Sequence, residues 1–335
     1  MKNKIKNNNI FLNGMYGMVI GDAMGVPFEF SKREWLKEEP CTEMVGYGNY
    51  MFVPAGYWSD DTSMALATLD SIVSSKNEID LDDIMNKFVQ WRDNGKYACD
   101  EYVFDIGNTC ETAIDNYKIS KDPFSCGCTT EDSNGNGSLM RILPVCLYAT
   151  YKHIENNDFL NRCLRMIYQV SDLTHNTARC RLACGLYFFI IVSILTSKAK
   201  LKDKISEGVQ AGFSYYDKGE YSLDLYYYDR LRDMNSFIKL GEDSIQSTGY
   251  VVDTLEAAIW CLCNTNTYED CILKAVNLGG DTDTIAAVAG GLAGLEYSVD
   301  GIPFAWKFAL YDSKCIDELC DSAFKRYMIK TGGAI

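Results

Sequence analysis

The sequence predicts an all-α fold in one compact domain, and three observations carry that expectation. Apolar residues recur at helical spacing along most of the 335 residues, only 6 prolines interrupt them, and alternating strand patterns are short and few. Hydrophobic content of 47% excludes a disordered chain. No Pro/Gly/Ser-rich bridge and no internal repeat divides the sequence.

Residues 1–10 are polar and read as a flexible N-terminal segment, with the domain running over 11–335. Gly14, Gly17, Gly21 and Gly25 then fall three or four apart, as small residues do on one face of a helix. The spacing predicts helices over 62–75, 81–94, 139–149, 159–170, 177–197, 250–264 and 283–295; in the second of these, Ile84, Phe88 and Trp91 share a face. Polar stretches over 40–57, 98–105 and 120–137 read as loops. Segment 182–195 (LACGLYFFIIVSIL) is almost wholly apolar but shorter than the ~20 residues of a membrane span, so it reads as a core helix. Gly290, Gly291 and Gly294 form a second small-residue series, and the pair of series predicts that the two chain ends meet in the core.

Composition narrows the function. The net charge is −14 with no long basic run, which argues against a nucleic-acid groove. The 14 cysteines are scattered, with two C-x-C pairs (Cys126/Cys128 and Cys261/Cys263) and no C-x-x-C, and the N-terminus has no apolar leader core. Reduced thiols in a cytoplasmic, monomeric chain with no membrane partner are therefore expected. His153 and His175 are the only imidazoles, and neither lies at zinc-ligand spacing from a cysteine pair.

Two acidic clusters carry the chemistry. Trp58-Ser59-Asp60-Asp61-Thr62-Ser63 and Gly279-Gly280-Asp281-Thr282-Asp283-Thr284 each set short oxygen side chains where a loop enters an apolar helix. Helix capping is one reading, because Asp, Ser and Thr suit the N-cap. One cap needs one oxygen, however, and each cluster offers two carboxylates plus hydroxyls. Four converging carboxylates repel unless a cation sits between them. No Lys or Arg lies in either cluster, so hard divalent cations, a pair of Mg2+ or Mn2+ ions sharing a bridging Asp, suit the all-oxygen set. Neither metal is favoured by the sequence.

Four motifs in order resemble the ADP-ribosylglycohydrolase family: Gly21-Asp22-Ala23-Met24-Gly25-Val26-Pro27-Phe28-Glu29, the Ser-Asp-Asp-Thr cluster, Gly135-Asn136-Gly137-Ser138-Leu139-Met140-Arg141, and the Gly-Gly-Asp-Thr-Asp-Thr cluster. The resemblance spans about Gly14 to Trp306. It implies an all-α fold with a binuclear magnesium or manganese site. By position it makes Ser59, Asp60, Asp61, Asp281, Asp283 and Thr284 metal ligands, Ser59 standing where many relatives have Thr. Glu29 matches an acidic residue beside the scissile bond. The segment Phe104-Asp105-Ile106-Gly107-Asn108-Thr109 is similar to the bacterial branch that cleaves ADP-ribosyl-arginine, which places Asp105 in the active site. Gly135, Asn136, Gly137, Ser138 and His175 are implied as substrate contacts.

The implied reaction is hydrolysis of the bond between ADP-ribose and a protein side chain, with an ADP-ribosylated protein or ADP-ribose as partner. Its anomeric carbon passes through an oxocarbenium-like state, and Glu29 or Asp105 assists proton transfer. An acidic protein repels the substrate pyrophosphate at long range, so Arg141 and backbone N–H groups at the start of the 139–149 helix are expected to compensate. Tyr215, Tyr216 and Tyr250 are candidates to stack the adenine. The Asp105 segment and Trp58 lean toward arginine. Two further readings stand beside this one: a two-metal phosphohydrolase and a non-enzymatic structural protein on the same fold.

Overall fold

The computed structural model describes residues 9–75, 79–155 and 160–329. Residues 1–8 of the N-terminal segment, residue 159 of the helix expected over 159–170 and the side chain of His153 lie outside what is described. The helices are α1 (Ile10–Gly25), α2 (Arg33–Glu38), α3 (Asp60–Ser74), α4 (Leu81–Asn94), α5 (Asn108–Ser120), α6 (Leu143–Glu155), α7 (Leu160–Asp172) and α8 (Ala178–Thr196), followed by α9 (Leu201–Tyr216), α10 (Met234–Phe237), α11 (Val251–Cys263), α12 (Tyr268–Val276), α13 (Thr282–Tyr297), α14 (Phe304–Ala309) and α15 (Ser313–Phe324). Among the described residues there is no strand, only the isolated bridges Cys128–His175 and Gly135–Tyr250. The all-α expectation holds.

Helices α1 and α13 form the central pair, and both are buried almost throughout. The two glycine series explain their closeness. A Cβ on Gly17 would sit 2.2 Å from the Gly290 carbonyl oxygen, one on Gly21 2.1 Å from that of Ala286, and one on Gly294 2.2 Å from that of Asn13. Any side chain there would force the backbones apart. Tyr268 on α12 donates to the Gly17 carbonyl at 2.7 Å, and Tyr187 on α8 to that of Val288 at 3.0 Å, so neighbouring helices tie onto the pair. The chain ends thus meet in the core.

The other helices wrap this pair. Helix α8 packs against α6, α7, α9, α11 and α13. It is long and apolar enough to cross a membrane, yet 72% of that apolar window is buried inside the protein. It begins where Thr177 accepts a hydrogen bond from the Cys180 amide. Helix α4 starts on Asp80 and stops on Gly95, whose φ of 72° is the left-handed conformation that suits a helix C-terminus.

One boundary differs from expectation. The helix expected over 139–149 begins at Leu143, after a turn through 139–141. Pro144 has no amide hydrogen and fits only the first turn, which fixes the start there. The Gly135–Ser138 stretch therefore precedes α6 by a full turn, and the expected anion site at the start of that helix is corrected accordingly.

Candidate functional site

The two acidic clusters converge. Asp60 and Asp61 open α3, Asp281 immediately precedes α13, and Asp283 lies in its first turn. Thr284 donates its hydroxyl to Asp61 Oδ2 at 3.3 Å across 223 residues of sequence, which places the two helix starts in contact. Ser59 donates to the same oxygen at 3.3 Å.

The loop carrying Glu29 is stitched to the second cluster by its backbone. The Phe30 amide donates to the Gly280 carbonyl at 2.7 Å, and the Gly280 amide to that of Ser31 at 2.9 Å. Gly279 and Gly280 have φ of 69° and 73°, which glycine adopts without strain. A Cβ on Gly280 would also lie 2.0 Å from the Ser247 carbonyl oxygen. Carboxylate oxygens of Glu29, Asp281 and Asp283 consequently lie within 4.8 Å of one another.

Capping does not account for these carboxylates. The amides of Ser59 and Thr62 donate to buried Asp22 at 3.0 Å each, and the Asp61 amide to Ser59 Oγ at 3.3 Å. Asp22 is therefore the anion that serves the start of α3, leaving Asp60 and Asp61 for another purpose. Among the described residues Asp60 Oδ2 accepts only the Gly107 amide, at 3.3 Å. The Asp281 side chain makes no capping hydrogen bond; its Oδ2 accepts from Asn136 Nδ2 at 2.8 Å.

Burial and mutual repulsion dominate the electrostatics. Burial first, then neighbouring carboxylates, pushes the carboxyls of Asp60, Asp61 and Asp283 well above the usual carboxylate range. Burial lifts Glu29 to about 9, reinforced by Asp105 and opposed by a hydrogen bond from Tyr50 Oη to Glu29 Oε2 at 2.5 Å. Burial also raises Asp22, to about 6, and Asp105, where the Asp281 charge adds to it. Among the described residues no Lys or Arg lines the cleft above. Asp61 Oδ1 is buried with no hydrogen-bond partner among the described residues. An orphaned carboxylate oxygen inside a cation-free, all-oxygen cluster is the donor set of a hard divalent cation, so the residues present fit the expected metals.

A cleft of about 470 Å³ opens over this cluster. Glu29, Asp60, Asp105, Asp281, Thr284, Gly135, Asn136, Gly137 and His175 all line it. Ser59, Asp61 and Asp283 lie buried and do not line it. Ser138 faces the core instead, where its hydroxyl accepts from Ser171 Oγ at 2.9 Å beside Cys184.

Several expectations about the substrate are corrected. Arg141 is fully buried and reaches Val170 and Thr174, so it does not meet phosphate directly. Tyr216 is buried against Tyr168, Tyr215 bonds Asn161, and neither they nor Tyr250 line the cleft. The aromatic side chain that does is Phe30, 72% exposed. Trp58 is buried, with its indole N–H on the Tyr97 carbonyl at 2.9 Å, and does not line the cleft either. Sequence reasoning missed Phe30, although it adjoins Glu29, and missed Tyr50, whose loop carries no local signal.

A family model described as ADP-ribosylglycohydrolase matches residues 3–331. The chain belongs to the ADP-ribosylglycohydrolase family. It is 32% identical to the ADP-ribosylarginine hydrolase Tri1 of Pseudomonas putida over 93% of this chain and 77% of the relative. It is 28% identical to the ADP-ribosyl-[dinitrogen reductase] glycohydrolase of Rhodospirillum rubrum, covering 88% of each. A solved structure named as an ADP-ribosylglycohydrolase-related protein complex superimposes with a TM-score of 0.74 at 26% identity, covering 96% of this chain and 99% of that one. As a member of this glycohydrolase family the chain is a hydrolase, and its acidic cluster is suited to holding metal.

Proposed function

We propose that this glycohydrolase releases ADP-ribose from arginine side chains of proteins, using two Mg2+ or Mn2+ ions held between the starts of α3 and α13. The observation that carries the metal half is the buried Asp61 Oδ1, which among the described residues has no partner and sits amid carboxylates that no basic residue neutralises. The arginine half is supported by the similarity to two hydrolases whose names specify ADP-ribosylarginine, at 32% and 31% identity.

Ser59, Asp60, Asp61, Asp281, Asp283 and Thr284 would hold the ions, with Glu29 joining them through its closeness to Asp281 and Asp283. Bound there, the ions would supply Lewis acidity toward ribose hydroxyls and water. Asn136 Nδ2 bridges Asp281 and Thr254 Oγ1 (2.9 Å), so the Gly135–Gly137 wall is anchored to the metal cluster and orients what lies between. Asp105 lines the cleft without being part of the tight triad. Its raised pKa suits a carboxyl that hands a proton to the leaving guanidine or takes one from water. Tyr50 holds Glu29 against the second cluster and is not itself a proton carrier in this scheme.

Incubation with arginine- and serine-linked ADP-ribosyl peptides, with and without Mg2+ or Mn2+, tests the proposal. Metal-dependent release of intact ADP-ribose from the arginine peptide is expected. Release from the serine peptide alone would overturn the linkage, and AMP as product would indicate pyrophosphate cleavage instead.

A further inference from the structure

We propose that Arg141 and Thr174 are positioning residues that lock His175 as its Nε2–H tautomer, so that the cleft presents a neutral, oriented hydrogen-bond donor to an anionic oxygen of the substrate. The part concerning substrate rests on the glycohydrolase reading; the part concerning the tautomer does not.

Arg141 is an uncompensated cation. It is fully buried, forms no ion pair among the described residues, and leaves Nε and Nη1 without hydrogen-bond partners. Its guanidinium lies 4.8 Å from the centre of the Phe88 ring. Only Nη2 is engaged, with the Val170 carbonyl at 3.2 Å and Thr174 Oγ1 at 2.7 Å. A buried, unpaired guanidinium is costly to keep unless it does something the fold needs.

The donors and acceptors around Thr174 fix the tautomer. A guanidinium only donates, so Thr174 Oγ1 accepts from it. The same oxygen lies 2.9 Å from His175 Nδ1. Thr174 has one proton to give. An imidazole nitrogen is a strong acceptor, whereas the nearby Cys110 thiol sulfur is a weak one. The proton therefore goes to Nδ1, which must be bare, and the ring hydrogen sits on Nε2. The Nε2–Cε1 edge faces the Gly135–Gly137 wall, where a Cβ on Gly137 would meet Cε1 at 2.7 Å and one on Gly135 would meet Nε2 at 3.5 Å. Nε2 has no protein partner among the described residues, and His175 lines the cleft. Burial, then the Arg141 charge, pushes the imidazole down to about 3, so it stays neutral at physiological pH.

The arrangement answers a problem of the cleft. Its lining holds Glu29, Asp60, Asp105, Asp132 and Asp281 but no Lys or Arg. A substrate oxyanion must then be met by neutral donors. Arg141 polarises one of them from behind, delivering part of a positive charge through Thr174 and the imidazole without exposing a cation that would pair with the metal-site carboxylates.

The test uses nitrogen-15 histidine NMR, which is simple here because the chain has only two histidines. Replacing His153 with Gln leaves a single ring to read. The wild-type ring is expected as Nε2–H with bare Nδ1 across neutral pH, and Thr174→Val is expected to lose that single tautomer while Thr174→Ser keeps it. Calorimetric affinity for ADP-ribose at saturating Mn2+ should fall about tenfold or more in Thr174→Val, as befits loss of a hydrogen bond to a charged group, and stay near wild type in Thr174→Ser. Metal affinity should be the same in all three. A wild-type ring protonated on Nδ1 overturns the proposal whether or not any variant folds and whether or not arginine is the true linkage. A changed tautomer in Thr174→Val with unchanged ADP-ribose affinity overturns the substrate role.

Discussion

The α1–α13 seam and the acidic pocket at its end are built from the same two helices, and they differ in whether the protein alone completes them. Along the seam, glycine faces backbone, and Tyr268 and Tyr187 satisfy the carbonyls they reach. Where α1 ends and α13 begins, carboxylates crowd together and one oxygen has no partner. The lesson is that a packed seam brings an unfavourable cluster together. The rigid approach of two backbones holds Asp283 against Gly25, where a Cβ on the glycine would lie 2.2 Å from the Asp283 Cα. Packing energy in one region sustains charge repulsion in the other.

The sharpest way to break this comparison is to neutralise the acidic end. Asp283→Asn should lower turnover by on the order of 10³-fold while raising the melting temperature of the metal-free protein, because an amide replaces a carboxyl that burial and its neighbours make costly to ionise. Steady-state rates and calorimetric melting in EDTA would check both signs. A fall in metal-free stability would mean that the cluster is not frustrated.

Next comes overpacking of the seam. Gly17→Leu, aimed at a carbonyl 2.2 Å from where its Cβ must go, should cost about 3 kcal/mol or more in urea unfolding. The folded fraction should also bind metal more weakly, because the same two helices hold the acidic cluster together.

A smaller effect is the pH dependence of the metal-free protein. Glu29, held at about 9, and Asp22, at about 6, have folded pKa values above their unfolded ones. The stability linked to them is full below the unfolded values and is lost as pH rises through the folded ones. Melting temperature without metal should therefore decline from mildly acidic to alkaline pH, and saturating Mg2+ or Mn2+ should flatten the decline. The smallest effect separates the cleft from the core. Ser138→Ala loses one buried hydrogen bond to Ser171 and should cost ~1 kcal/mol with little change in turnover.

The same contrast explains which features were legible in the sequence. Helical periodicity and two glycine series exposed the seam, because packing of a helix face is written at a fixed spacing. The two Asp-rich helix starts were legible because two carboxylates and hydroxyls exceed what a cap requires. Contacts set by tertiary position were not. Arg141 sits in a motif beside the cleft wall, yet its side chain turns inward to Thr174. Asp22 serves the first turn of a helix 40 residues away, and Tyr50 reaches Glu29 from a loop with no periodicity. The tyrosines of α9 carry no pattern that separates stacking from packing, and they pack against Phe189 and Tyr168.

Cation uptake between the starts of α3 and α13 is the claim on which the rest depends. Isothermal titration of the EDTA-stripped, dialysed protein with Mn2+ should show saturable binding that Asp61→Asn and Asp283→Asn each weaken severely. Absence of binding to the wild-type chain, or unchanged binding in both variants, would contradict it.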